Sequence, residues 1–188
     1  MTPLRPAATS DPGRWLLRSD VDWWTLFRYG PPGFPAYCRI AFDTRPDGMD
    51  QDGEAPCLRA ALATLARHTD TPDLAYAAIW EGWSGTTPAP EAPRLHLPER
   101  TMLLFTGPVE SLRDAPAVAW ETLGTTYQEP HLVWPQDQAW CLACEVDEEI
   151  EFTVGCDDEA AEALERALPN GVRRVPYGAP APLYREPT

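Results

Sequence analysis

The sequence predicts an α+β fold, in which a mainly antiparallel sheet of about five or six strands carries two or three helices. Several stretches alternate apolar and polar residues with the period of a strand, and others repeat apolar residues with the period of a helix. Successive strand patterns follow one another as hairpins, which favours antiparallel pairing over a wound parallel sheet. A βαβ unit over residues 38–83 is the one alternative that this pattern leaves open.

A chain of 188 residues is typical of one domain. We predict a single α+β domain over residues 14–178, flanked by flexible Pro-rich tails at residues 1–13 and 179–188. The 22 prolines are more than twice the usual share of about 5%. This excess predicts long irregular connections between short elements.

The first predicted helix covers residues 20–29. Ser19 and Asp22 have the spacing of a capping box, with Asp in place of the usual Glu. The segment 30–33, Gly-Pro-Pro-Gly, ends this helix because neither residue type continues one. Residues 36–42 then alternate apolar and polar side chains and are predicted as a strand.

An acidic loop rich in Asp and Gly is expected at residues 43–53. A helix follows over residues 56–68, with proline in its first turn and positive charge in its last. Residues 75–83 are the next predicted strand. Residues 95–97 and 101–106 form a predicted strand pair, whose second member is apolar throughout its centre and suits a strand covered on both faces.

The last third of the chain is predicted as a hairpin that leads into an acidic helix. Residues 139–146 form the first strand, residues 147–149 the acidic tip and residues 151–154 the returning strand. A helix over residues 157–168 begins with Asp at its cap and in its first turn. An edge strand is expected at residues 172–177.

Charge and composition narrow the classes of function. The formal net charge is −14, and the basic residues are all Arg. Such a balance opposes binding to nucleic acid or to an anionic membrane surface, and it favours solubility and a basic protein partner. No apolar run approaches the roughly 20 residues that span a bilayer. No signal peptide is visible, so we expect a cytoplasmic protein with reduced thiols.

Two patterns are reminiscent of metal sites, yet we predict no metal and no cofactor. Cys141 and Cys144 have the spacing of a zinc knuckle or a redox pair, but no second such pair exists. On a strand these two side chains point to opposite faces, which indicates packing residues. The acidic loop at residues 43–53 does not have the ligand order of an EF-hand.

A thiol hydrolase is the alternative function that the sequence offers. Cys57 lies in the first turn of a predicted helix, where a thiolate is favoured. Gln51 precedes it, and His131 follows at the start of a candidate strand. This chain order resembles that of papain-like thiol hydrolases, although the Gly-Ser-Cys-Trp context of that family is missing.

Glu81 is a candidate general acid because it lies between Trp80 and Trp83. A carboxylate among aromatic rings can have a raised pKa. Glu145 or Asp137 could complete a carboxylate pair. The simpler interpretation is a glutamate that is hydrogen-bonded in the sheet or exposed at its edge.

The main functional prediction is an acidic surface. Residues 145–165 contain ten acidic residues and no basic one, and we expect the hairpin tip and the helix to present much of this charge on one side. This surface predicts a non-catalytic protein-binding module for a basic partner. The residues expected to bind the partner are Glu145, Asp147, Glu148, Glu149, Glu151, Asp158 and Glu162.

Three motifs carry a resemblance to a known group of proteins. They are Ile-Trp-Glu-Gly-Trp at residues 79–83, Phe-Thr-Gly-Pro at residues 105–108, and Trp-Pro-Gln-Asp-Gln-Ala-Trp-Cys-Leu-Ala-Cys-Glu-Val-Asp at residues 134–147. Over residues 36–170 the chain resembles a group of uncharacterised proteins from GC-rich actinobacteria. The resemblance implies a bacterial cytoplasmic setting and no catalytic residue. In size, acidity and lack of a catalytic pattern, the chain is also similar to immunity proteins of bacterial toxin systems.

Overall fold

The structure, a computed structural model, describes residues 4–18, 20–42, 56–82, 91–112, 130–148 and 150–182. These residues include nine strands in one sheet, with antiparallel pairing throughout, and three α-helices. The predicted α+β class and the antiparallel character of the sheet are confirmed. The sheet has more strands than the five or six predicted, because several are only two to four residues long.

The elements have the following bounds in chain order. The strands are β1 (Arg5–Pro6), β2 (Ala36–Ala41), β3 (Ala75–Trp80), β4 (Arg94–Leu97), β5 (Arg100–Gly107), β6 (Leu132–Pro135), β7 (Cys141–Ala143), β8 (Glu151–Cys156) and β9 (Val172–Arg174). The α-helices are α1 (Trp23–Tyr29), α2 (Pro56–Leu65) and α3 (Asp158–Ala167), and 3-10 helices lie at Asp11–Arg18 and Val109–Leu112. Across the sheet the order is β1-β5-β3-β6-β7-β8-β2-β9, and β4 also pairs with β5.

Two helical connections cross the sheet. Because each neighbouring pair is antiparallel, β8 and β9 run in the same direction with β2 between them, and α3 joins them. In the same way, β2 and β3 run in one direction and are linked through α2, with three strands between them. The segment 38–83 is therefore a crossover whose two strands are not neighbours.

The sheet separates two hydrophobic cores. On one face α2 and α3 pack together and bury residues such as Leu62 and Leu164 against Ile40 and Val154. On the other face, α1 and the 3-10 helix Asp11–Arg18 pack against a second core that is rich in aromatic side chains. Alternate residues of each strand thus enter different cores, as the period of two requires.

Helix α1 begins later than predicted. It starts at Trp23, and Asp22 is its N-cap, with a carboxylate that accepts a hydrogen bond from the backbone nitrogen of Thr25 at 3.0 Å. The predicted capping box placed Asp22 inside the helix. Ser19, the other member of that box, lies outside the described residues. Asp22 alone caps the helix, because its carboxylate reaches a backbone N–H group of the first turn that has no partner within the helix.

Parts of both predicted tails contact the fold. Residues Arg5–Pro6 form β1 and pair with β5, and the nitrogen of Ala7 donates to the Leu104 oxygen at 3.0 Å. The backbone groups on the outer side of β5 attract this segment because they otherwise lack partners. Near the other end of the chain, the carbonyl oxygen of Ala181 accepts a hydrogen bond from Arg28.

Strand β7 has only three residues, whereas the alternation predicts a strand over residues 139–146. Trp140 is fully buried before the strand begins, and its indole Nε1 donates to the Leu65 oxygen at 3.0 Å. The nitrogen of Cys144 still bonds to His131, after which the chain turns toward β8. No helix in the described ranges is long and apolar enough to cross a bilayer.

Candidate functional site

Glu148, at the predicted acidic tip, has its carboxylate inside the protein. Its two oxygens accept hydrogen bonds from Nε and Nη2 of Arg28 at 3.0 and 3.2 Å. Nη2 of Arg39 lies 3.3 Å from the same carboxylate, and Nε of Arg39 lies 2.7 Å from Glu151. All four side chains are at most 8% exposed. We call Arg28, Arg39, Glu148 and Glu151 the buried ion-pair cluster.

Strand alternation and helix α1 place this cluster. Arg39 and Glu151 lie on the face of β2 and β8 that is opposite to Ile40 and Val154, and α1 covers that face. The hydroxyl of Thr153 donates to the Arg28 oxygen at 2.7 Å and so anchors α1 on β8. Burial raises the pKa of Glu148 above its ordinary value, and the bond from Arg28 opposes this shift.

Glu145 is also directed inward. Its side chain is 2% exposed, and Oε1 lies 2.7 Å from Nη2 of Arg100. The guanidinium of Arg100 lies between the rings of Trp23 and Trp80, 5.1 and 4.2 Å from their centroids. The other oxygen of Glu145 accepts a hydrogen bond from the backbone nitrogen of Asp147. Glu145 therefore fixes the aromatic side of the core and contributes little to the surface.

Among the described acidic residues of the 145–165 stretch, those that remain exposed lie mainly at α3. Asp157 is its N-cap, with a side chain that accepts from the Ala160 nitrogen at 2.7 Å, and Asp158 and Glu159 occupy the first turn. Arg166 lies 3.7 Å from Glu162. Arg174 of β9 lies within 3.0 Å of both Asp158 and Glu165. The cap and helix thus carry five carboxylates, some of which pair with Arg166 of the helix and Arg174 of β9. Arg67 and His68 line the surface beside Glu159, so the excess of negative charge is greatest at the start of the helix.

The expected single acidic surface is divided between two places. Strand β8 separates the tip from α3 by about 20 Å, since six residues each advance about 3.3 Å. Glu148 and Glu151 lie on the α1 side of the sheet, whereas α3 packs on the opposite side. Of the seven predicted partner-binding residues, the structure brings Asp158 and Glu162 together on one helix.

The other predicted members are distributed differently. Asp147 is exposed at the tip, and Glu149 lies outside the described residues. Glu145, Glu148 and Glu151 form ion pairs inside the protein. We therefore leave these three residues out of the candidate surface.

The hydrolase alternative gains no support from the geometry. Cys57 is fully buried, and its thiol lies 3.5 Å from the carbonyl oxygen of Phe42, to which it donates. His131 is 3% exposed, and its Nδ1 accepts a hydrogen bond from the Trp80 nitrogen at 2.9 Å. Gln51 lies outside the described residues. A nucleophile at 0% exposure offers a substrate no approach, so the first helical turn holds a packing cysteine here.

Glu81 does not have the raised pKa that its aromatic neighbours suggested. Both Nε and Nη2 of Arg94 bond to its Oε1, the former at 2.7 Å. The bond with Arg94 lowers the pKa of Glu81 below its ordinary value. The simpler interpretation, a glutamate hydrogen-bonded in the sheet or exposed at its edge, fits this arrangement, in which Glu81 is partly exposed and bonds to Arg94 of β4.

Cys141 and Cys144 point into different cores, as strand geometry predicts. Cys141 packs in the aromatic core beside α1, and Cys144 packs with Trp140 in the core beside α2 and α3. Burial raises the pKa of the Cys141 thiol well above its ordinary value. Within the described ranges, no cluster of three or more His, Cys, Asp or Glu side chains could hold a metal ion. The acidic loop at residues 43–53 lies outside those ranges.

Sequence reasoning did not identify the arginines that draw the acidic tip inward. Arg39 alternates with Cys38 and Ile40, so the pattern placed it on a polar face of the strand. That face is covered by α1, and Arg39 is 1% exposed. The one signal in the sequence was the isolation of these charges, because Arg28 and Arg39 are the only two basic residues between positions 19 and 44.

Comparison with protein-family models, with curated proteins and with solved structures finds no match. Function is therefore inferred from the geometry of this chain.

Proposed function

We propose that this protein is a non-catalytic binding module that docks a basic protein partner through the exposed acidic side of α3. We define this acidic side by Asp157, Asp158, Glu159 and Glu162. The observation that carries the proposal is the excess of exposed carboxylates on this helix over the arginines that pair with them. An immunity-like role, in which the module neutralises a basic toxin, is the form that best suits a small acidic protein of this kind.

Electrostatics explain why such a surface suits a basic partner. The chain carries a formal charge of −14, so a positively charged protein is attracted over a long range before contact. The acidic side of α3 offers that partner carboxylates on a rigid helix whose inner residues Ala160, Ala161 and Leu164 are buried. A partner with clustered Lys or Arg would meet preoriented carboxylates at little cost in entropy.

Affinity capture tests the proposal. The bait is the whole chain, and the lysate comes from the organism that encodes it. The double variant Glu159→Arg with Glu162→Arg reverses charge on the acidic side of α3 and spares the cap. We expect the wild-type chain to retain one basic protein at low salt and to release it near 1 M salt, where the screening length falls to about 3 Å.

The matched control is the double variant Asp20→Arg with Asp73→Arg, which changes two exposed aspartates elsewhere. It alters the net charge by the same amount as the α3 variant. The control should retain the partner that the α3 variant loses. Equal capture by the two variants, or the absence of any captured basic protein, would contradict the proposal.

A further inference from the structure

A groove of about 480 Å³ lies beside the start of α3, where the segment before β2 meets the segment after β9. Phe34, Tyr37 and Tyr177 are the aromatic residues of its lining. Asp158 and Arg174 also line the groove. The groove therefore joins an aromatic wall to the acidic side of α3.

Hydrogen bonds hold the two tyrosines in fixed positions. The hydroxyl of Tyr37 donates to the Pro31 oxygen at 2.9 Å, and the hydroxyl of Tyr177 donates to the Gly30 oxygen at 2.9 Å. The Tyr37 and Tyr177 rings lie 4.8 Å apart at 51°, and Phe34 meets Tyr37 edge-on at 6.1 Å. Tyr37 is buried, whereas Phe34 and Tyr177 are partly exposed, so the buried ring supports the two that border the groove.

Gly155 of β8 makes room for these rings. A Cβ atom at this position would lie 2.5 Å from Cδ2 of Phe34 and 3.0 Å from Cε1 of Tyr37. Both distances are too short for carbon atoms, so any side chain here would displace the rings. The wall of the groove depends on glycine at position 155.

At the end of the groove beside α3, two carboxylates share one guanidinium. Arg174 is the basic residue in its lining, and it is shared by Asp158 and Glu165 at 2.8 and 3.0 Å. The carboxylate side chain of Asp158 remains 70% exposed while it bonds to Arg174. Burial raises the pKa of Tyr177 above its ordinary value, so its hydroxyl stays protonated and keeps its bond to Gly30.

We propose that this groove receives an arginine or lysine side chain of the basic partner, with the charged head at Asp158 and the stem against Tyr177. A cation is attracted to the negative face of an aromatic ring, and an open carboxylate beside the ring adds to that attraction. This inference rests on the proposed function and names the group that the partner contributes. The area near Asp158 is the point at which the acidic side of α3 and the aromatic wall meet.

The test uses Nα-acetyl-arginine methylamide as the probe and the citrulline analogue as its uncharged counterpart. NMR titration of the full chain should shift the ring signals of Tyr37 and Tyr177 with the arginine probe and leave them unchanged with citrulline. Asp158→Asn should weaken binding by about two- to fivefold, as expected for an exposed ion pair. Tyr177→Leu should abolish the shifts at Tyr37.

Asp73→Asn is the control, because it removes the charge of an exposed aspartate that does not line the groove. This variant should bind the arginine probe as the wild type does. Equal shifts with citrulline, shifts confined to Glu159 and Glu162, or wild-type binding by a folded Tyr177→Leu would overturn the inference. If the arginine probe does not bind the groove while affinity capture of a basic protein still depends on α3, the inference fails and the proposed function stands. If the groove binds arginine while capture does not depend on α3, the proposed function fails.

Discussion

At the scale of single residues, the position of each carboxylate decides its role. Glu148 is 1% exposed and is shared by Arg28 and Arg39, whereas Glu162 is 60% exposed and has one loose partner on its own helix. Desolvation makes a buried ion pair a weak source of net stability, yet removal of one member leaves the other charge without compensation. An exposed ion pair is different: water screens both charges, so removal of one member costs little.

Replacement of Glu148 by Gln should therefore lower the free energy of unfolding by about 3 to 5 kcal/mol, because Arg28 and Arg39 lose the carboxylate between them. Urea denaturation monitored by tryptophan fluorescence measures this change. Glu162→Gln is the matched control and should alter stability by no more than about 0.5 kcal/mol. A similar effect for the two substitutions would mean that the buried ion-pair cluster is open to water in solution.

At the scale of elements, helix α3 packs an apolar side on the core and carries a cluster of acidic residues at its start. Ala160, Ala161 and Leu164 face the core, which explains why the 3.6-residue period was visible in the sequence. Its N-cap Asp157 and the first-turn residues Asp158 and Glu159 all lie close to the positive end of the helix dipole. The residues that stabilise the helix start thus belong to the surface that we propose for partner binding.

The cap of α3 gives a prediction at this scale. Asp157→Ala should destabilise the protein by about 1 kcal/mol, since the Ala160 nitrogen loses its hydrogen bond. Asp157→Asn retains an oxygen at the same place and should stay within a few tenths of a kcal/mol of the wild type. Chemical denaturation of the three proteins provides the comparison. Equal losses for Ala and Asn would show that the charge of Asp157, and not its hydrogen bond, stabilises the helix.

At the scale of the whole molecule, His131 links folding to pH. It lies between β3 and β7, where its backbone bonds to Ala78 and Cys144 and its imidazole accepts from Trp80. Burial, with a smaller effect of Arg100, lowers the pKa of His131 from 6.5 to about 3. As the pH falls below 6.5, the His131 imidazole therefore binds a proton in the unfolded chain, whereas in the folded protein it stays neutral until the pH approaches 3. The stability that His131 contributes is present above pH 6.5 and is lost as the pH falls toward 3.

His131→Gln removes this titration and keeps a side-chain oxygen that can accept from Trp80. We compare the free energy of unfolding of the variant with that of the wild type at pH 7 and at pH 5. Between these two pH values the difference should shift by about 2 kcal/mol in favour of the variant, because only the wild type loses stability as the pH falls. Urea unfolding at the two pH values measures it. A constant difference for His131→Gln would show that the imidazole is protonated in the folded protein.

Local sequence patterns predict much of the fold and less of the candidate functional site. The alternation in residues 36–42 and 75–83 corresponds to β2 and β3, and the helical period at residues 157–168 corresponds to α3. By contrast, the short strand β1 has no pattern of its own and exists because β5 offers it a pairing edge. Strand β7 ends early because Trp140 and Cys144 make contacts outside the ladder.

The sequence by itself determined the class of the fold, the acidic character of the protein and the separation of Cys141 from Cys144. These features depend on composition and on the short-range period of strands and helices. Only the tertiary structure decided which carboxylates are exposed and which are buried in ion pairs. Glu148 bonds to an arginine 120 residues away, and α1 buries the face on which that pair lies. Such long-range partners leave no trace in local spacing, because they meet only when the sheet and its helices assemble.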